Sequence, residues 1–149
     1  MKDKIDALLR SAYELGASDI HLTVGAPPVF RIHGDLKRYG KDALSPETTE
    51  GMAKALIAPP MYTSFEDAGE LDFSYGIPGV SRFRINAFRQ RSCVSLAIRV
   101  IPTSIPTMED LFLPHALKGI AGRPQGLFLV TGPTGSGKST TLASIIDHM

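Results

Sequence analysis

The chain has no tryptophan and a single cysteine, Cys93, so no disulfide can close within it and a disulfide-framed secreted domain is excluded. Charge of one sign is also scarce. Sixteen Lys and Arg against fifteen Asp and Glu leave a formal net charge of +1, without the basic surplus of a nucleic-acid surface. No apolar run approaches the roughly 20 residues that span a bilayer, so no transmembrane segment is expected. The start, Met1-Lys-Asp-Lys-Ile-Asp6, carries charge but no apolar block behind it and does not read as a signal peptide. His and Cys lack ligand-type spacing, which gives no metal site built by the chain alone. These absences point to a soluble protein of a reducing cytoplasm, with Cys93 a small core residue in an apolar strand. A hydrophobic share of 43% and a charged share of 21% are those of a globular domain, and the length allows one domain and part of a second.

The most specific pattern present is Gly132-Pro-Thr-Gly-Ser-Gly-Lys-Ser139, which fits G-x-x-x-x-G-K-[ST] without a mismatch. Gly126–Thr131 ahead of it reads as a short buried strand. The segment after it places Leu142, Ile145, Ile146 and Met149 at helical spacing. Strand, loop and helix together form the context of a phosphate-binding loop. Glycines let successive N–H groups point inward as a nest for phosphate oxygens, and the helix start adds positive potential. Gly132, Pro133, Thr134, Gly135, Ser136, Gly137, Lys138, Ser139 and Thr140 are therefore the candidate nucleotide-binding residues. Lys138 supplies charge to the outer phosphates, and the Ser139 hydroxyl is placed for the Mg²⁺ that accompanies ATP. An acidic residue on a later strand is also needed for turnover. The chain stops soon after Lys138, so it is expected to be the front part of a longer protein and inactive alone.

Residues 2–15 put Ile5, Leu8, Leu9, Ala12 and Leu15 on one helical stripe that Gly16 stops. Ser18–Val24 alternates, with Ile20, Leu22 and Val24 on one face and Asp19, His21 and Thr23 on the other. Val29–His33 leads to a hairpin signal at Gly34-Asp35. Ser45-Pro46-Glu47 starts a helix that runs to about Leu56, and Pro59-Pro60 ends it. Strands are expected over Leu71–Tyr75, Arg82–Phe88 and Val94–Ile101, with a turn at Pro78-Gly79. The mixture predicts an α+β domain over residues 1–101, a small antiparallel sheet with helices on one side. Two prolines in Ile101–Thr107 mark a linker over 102–112. Short helices near Thr107 and Pro114–Ala121 lead into residues 113–149, the beginning of an α/β phosphate-loop domain.

Alternation places Arg82 and Arg84 on the polar face of one strand and Arg99 on that of the next. Three like charges on one surface repel unless something compensates. Either this is a solvated face balanced by carboxylates such as Glu70 or Asp72, or it is an anion clamp, since Arg forks onto phosphate oxygens. Arg89 and Arg91 would extend the cluster toward the loop.

Several segments then carry a resemblance. Gly16-Ala-Ser-Asp-Ile-His-Leu22, Pro27–Leu36, Leu71–Gly79, Arg82-Phe-Arg-Ile-Asn-Ala-Phe88 and Leu129–Leu142 are similar, in order, to the PilT family of twitching-motility ATPases that retract type IV pili. The resemblance implies a PAS-like N-terminal domain followed by a RecA-like ATPase domain, assembled as a hexamer. It implies ATP and Mg²⁺ as cofactors, with N-terminal-domain arginines approaching the phosphates. Lys138, Arg82, Arg84 and Arg99 are thereby the expected catalytic residues. It further implies a cytoplasmic protein at the inner face of the membrane, partnered by a pilus platform protein. Pilus extension and type II secretion ATPases share this layout and are the alternative, as is a non-enzymatic ring-assembly module. Arg89-Gln-Arg-Ser-Cys93 departs from the pattern, with Ser92 where Gly is common.

Overall fold

A computed structural model describes residues 1–102, 104–133 and 136–149. The chain divides into two compact units, Met1–Pro102 and Thr103–Met149.

The first unit begins with α1 (Lys2–Glu14), β1 (Ala17–Leu22), β2 (Val29–Ile32) and β3 (Asp35–Arg38). It continues with α2 (Pro46–Leu56), α3 (Pro59–Ala68), β4 (Glu70–Ile77), β5 (Ser81–Gln90) and β6 (Cys93–Ile101). The strands form one six-stranded sheet in the order β3-β2-β1-β6-β5-β4, every neighbouring pair antiparallel. Consecutive hairpins build the two edges, and β6 returns to join β1 at the centre. Period-two alternation sends Ile20, Leu22, Phe83, Ile85, Ala87, Val94, Leu96 and Ile98 to one face, where they are buried. There α1 lies against β1, α2 against β6 and α3 against β4, completing one core. Burying each of the larger side chains contributes about 1.5–3 kcal/mol. The other face carries the arginines.

The local signals for α2 hold to the residue. The Ser45 hydroxyl accepts from the Thr48 N–H at 3.2 Å, and Pro46 occupies the first turn, where its missing donor costs nothing. α2 stops at Leu56, ahead of Pro59-Pro60, and both prolines then stand in the first turn of a further helix, α3, that the sequence reading does not include. Gly69, at φ 78°, then closes α3 with its N–H on the Phe65 carbonyl. Cys93 is half-buried at the start of β6 rather than a core residue, because it borders the β5–β6 turn.

The second unit contains α4 (Ala116–Ala121) and α5 (Lys138–His148) around a small cluster of Met108, Ala121 and Ile145. The expected helix near Thr107 is only a set of turns. Thr107 and Asp110 cap each other: the Asp110 carboxylate accepts from the Thr107 N–H at 3.0 Å, and the Thr107 hydroxyl oxygen accepts from the Asp110 N–H at 3.1 Å. Phe112 at φ 52° then breaks the helical path. Gly126–Thr131 is not a buried strand. Among the described residues it pairs with no strand, and Leu127 and Leu129 are 85% and 71% exposed. In a strand buried on both sides every N–H and C=O needs a neighbour, and this unit offers none. For the same reason the α5 stripe is only partly used: Ile145 is buried, while Leu142, Ile146 and Met149 are exposed.

Two details of the first unit have measurable consequences. Gln90 pairs with Cys93 across a two-residue turn in which Arg91 and Ser92 both take positive φ, 51° and 64°. A side chain in that conformation costs about 1–2 kcal/mol that glycine does not pay. Part of the gain is offset by the freer unfolded chain. Ser92→Gly is therefore expected to stabilise the first unit by about 0.5–1 kcal/mol in urea denaturation; an unchanged midpoint would contradict the strain. On the core side, the Tyr75 hydroxyl donates to Asp6 Oδ1 at 2.6 Å, tying β4 to α1. Burial and this bond to a carboxylate push the phenol up from 10.0 to about 12. Because the folded value is the higher one, the stabilisation is present below pH 10 and fades as pH rises toward 12. Absorbance titration should show one tyrosine ionising near pH 12, with that step lost in Tyr75→Phe and a stability cost of about 1 kcal/mol.

Candidate functional site

The phosphate-loop residues lie at the start of α5. Gly137 is the residue before the helix, at φ 88°, a left-handed position that suits glycine. Among the described residues no side chain caps α5, so the amides of its first turn, including those of Lys138, Ser139 and Thr140, find no side-chain acceptor there. That is the donor set an anion needs at a helix N-terminus. Gly132 sits at φ 152°, a conformation that side-chain-bearing residues rarely adopt, and a Cβ there would press on the Ser136 hydroxyl at 2.8 Å. The Ser136 N–H donates to the Pro133 carbonyl at 3.3 Å, and Lys138 Nζ donates to the same carbonyl at 2.6 Å. The ammonium thus rests on a neutral acceptor within the loop, a weaker partner for it than a phosphate oxygen. Ser139 and Thr140 are exposed on the first turn. Thr134 and Gly135 lie outside the described residues. The residues described fit a phosphate chain: glycine where the backbone must close, uncapped amides, and a lysine held only by a carbonyl.

The arginine candidates lie on the open face of the sheet, and the register arranges them. Asp19 of β1 is opposite Arg31 of β2 and Arg99 of β6, and Arg99 is opposite Arg84 of β5. Arg31, Asp19, Arg99 and Arg84 therefore form a row across four strands. Arg99 and Arg84, directly opposed, would repel. Each is drawn toward a carboxylate instead. Arg84 donates from Nε and Nη2 to both oxygens of Asp72, the shortest contact being 2.6 Å. Arg99 Nε donates to Asp19 Oδ1 at 3.1 Å, and Arg31 Nε lies 3.5 Å from Asp19 Oδ2, which also accepts from the Ser18 hydroxyl. Burial alone would raise the Asp19 pKa, but the Ser18 bond and the Arg99 and Arg31 charges outweigh it and hold the carboxyl below its usual value. Asp72 is held low chiefly by its bond to Arg84, whose own pKa is raised in return. Between these residues lies a concavity of about 310 Å³, lined also by His21 and Asn86.

Among the described residues Arg82 has no such partner. It shares the face of Arg84, two positions along β5, with Ile101 opposite it. Arg89 departs from the expected cluster. It belongs to the alternate face of β5, and its guanidinium lies 5.5 Å from the ring centre of Phe65 on α3. Arg91 stands in the turn. The compensating carboxylate is Asp72 rather than Glu70, because Asp72 lies diagonally across from Arg84 within reach of its fork, while Glu70 pairs with Phe88. Asp19 and Arg31 were not singled out from the sequence. Alternation put Asp19 on the polar face, but its meeting with Arg99 spans eighty residues of chain.

The family of type II/IV secretion system proteins matches residues 1–149. The chain is 41% identical to the type IV pilus retractation ATPase PilT of Pseudomonas aeruginosa, over 97% of this chain and 42% of that protein. It is 38% identical to the type IV pilus ATPase PilU of the same organism, over 97% of this chain and 38% of that one. A solved structure of the pilus retraction motor PilT with bound ADP superposes with a TM-score of 0.82 at 45% identity, covering 95% of this chain and 41% of that one. The chain thus spans about two-fifths of the length of these relatives. The chain belongs to the type II/IV secretion system protein family and, within it, to the PilT group.

Proposed function

We propose that the protein is a P-loop ATPase whose ATP hydrolysis drives retraction of a type IV pilus. The observation that carries this is the unmismatched loop Gly132–Ser139 opening an uncapped helix, in a chain similar from end to end to PilT. In this reading residues 1–101 are a PAS-like domain, 102–112 a linker and 113–149 the beginning of a RecA-like ATPase domain. Gly132 to Thr140 hold the phosphates, Lys138 leaves the Pro133 carbonyl for phosphate oxygens, and the Ser139 hydroxyl meets Mg²⁺. Held there, Mg²⁺ would supply Lewis-acid polarisation of the phosphoryl group to be transferred. Arg82, Arg84 and Arg99 supply positive charge where negative charge develops, the kind of electrostatic support on which phosphoryl transfer depends. The working assembly is a hexamer in the cytoplasm, at the inner face of the membrane beside the pilus platform protein. No helix among the described residues is long and apolar enough to cross a membrane.

Lys138→Ala in the full-length protein is expected to abolish ATP hydrolysis and twitching motility while leaving the fold intact, because the removed ammonium rests on the loop rather than in a core. Turnover at the unsubstituted rate would reject the assignment. Single alanine substitutions of Arg82, Arg84 and Arg99 should each lower kcat more than they raise KM, since their charge acts mainly in the transition state. A shared load makes each loss smaller than the roughly 10³–10⁵-fold of a lone arginine finger. An unchanged kcat in all three would return these residues to a solvated face.

A further inference from the structure

The three arginines are not equivalent, and two carboxylates make the difference. Asp72 engages the Nε and Nη2 edge of Arg84, one of the two edges through which a guanidinium forks onto a phosphate. Asp19 takes Nε of Arg99 and is itself fixed on both oxygens, by Arg99 and by Arg31 with Ser18. Arg82, on the same face, is held by no carboxylate among the described residues. An arriving anion therefore meets one guanidinium without a carboxylate and two whose charge a carboxylate already partly neutralises, although both keep free Nη donors.

We infer that Asp19 and Asp72 are positioning residues that hold Arg99 and Arg84 along the sheet and set a threshold for anion binding, leaving Arg82 as the first phosphate contact. This rests on the reading of the face as phosphate-binding. A single-charged or small anion gains too little to displace a bidentate carboxylate. A chain of phosphates reaching from Arg82 toward Arg84 brings enough negative charge to compete. The face thereby discriminates by anion length and charge, which a row of free arginines would not. The low pKa values of both aspartates keep the carboxylates ionised and the pairs formed at neutral pH.

The test is calorimetric titration of the chain with inorganic tripolyphosphate at low ionic strength, where exposed pairs are least screened. All variants carry Lys138→Ala, so that the loop ammonium contributes nothing. Asp72→Asn is expected to tighten tripolyphosphate binding about fivefold, the scale of an exposed ion pair. It should also reduce the preference for tripolyphosphate over orthophosphate. Asp72→Glu, which keeps the carboxylate, should bind as the parent does. Arg82→Ala should weaken binding by a similar factor in either background. Glu70→Gln removes a charge from the same strand without freeing an arginine, and should leave affinity unchanged. An equal gain from Glu70→Gln would reduce the effect to bulk charge and overturn the inference. Unchanged affinity in Asp72→Asn, with Arg82→Ala still weakening binding, would overturn it while leaving the phosphate reading standing. No binding by parent and Asp72→Asn alike would remove both.

Discussion

One register governs the first unit: Ile98 of β6 stands between Ile20 of β1 and Ile85 of β5. These three side chains, all buried, fix the centre of the sheet against the helices. Side chains alternate with period two, so a slip of one residue would turn the entire apolar set outward, and burial forbids it. The neighbouring row is then determined on the opposite face. Arg99 is next to Ile98, Asp19 next to Ile20 and Arg84 next to Ile85, so the packing that makes the core also assembles the charged row. The polar face is a by-product of hydrophobic registration.

The charged row meets an electrostatic constraint that the core does not solve. Two arginines opposed across adjacent strands repel, and their position cannot change without breaking the register. Relief comes from the flanks, with Asp19 on one side and Asp72 on the other. Exposed pairs of this kind add little stability, a median near 0–1 kcal/mol. Their larger effect is on orientation, because each guanidinium is drawn toward a flank. That leaves Arg82 in a different state from its neighbours despite identical chemistry and the same strand.

The second unit shows the reverse balance. Its loop and helix start are specified locally, by glycines that tolerate φ of 152° and 88° and by a lysine that closes onto a carbonyl in the same turn. Such contacts need few neighbours and form within a short stretch. The segment before them needs many. Leu127 to Val130 is an apolar run that pairs with no strand among the described residues. Its exposed side chains and unpaired edge are those of a strand that seeks others.

Sequence alone determined the features that depend on nearby residues. It specified α2 from its Ser45-Pro46 start, the alternation of β1, β5 and β6, the turn at Pro78-Gly79, and the phosphate-loop pattern with Lys138 and Ser139. It also placed the three arginines on one face, because alternation is a local rule. Pro59-Pro60 marked the end of α2 but not the start of α3, since proline at a helix boundary is compatible with either an end or a beginning. The run before the loop has strand propensity, but pairing decides a strand, and among the described residues it pairs with none. Only tertiary structure decided that β1 joins β6, that Asp19 therefore meets Arg99 and Arg31, and that Arg89 turns away to Phe65. The physical reason is that periodicity assigns a residue to a face, whereas its partner on that face is chosen by a strand register fixed through core packing far away in the chain.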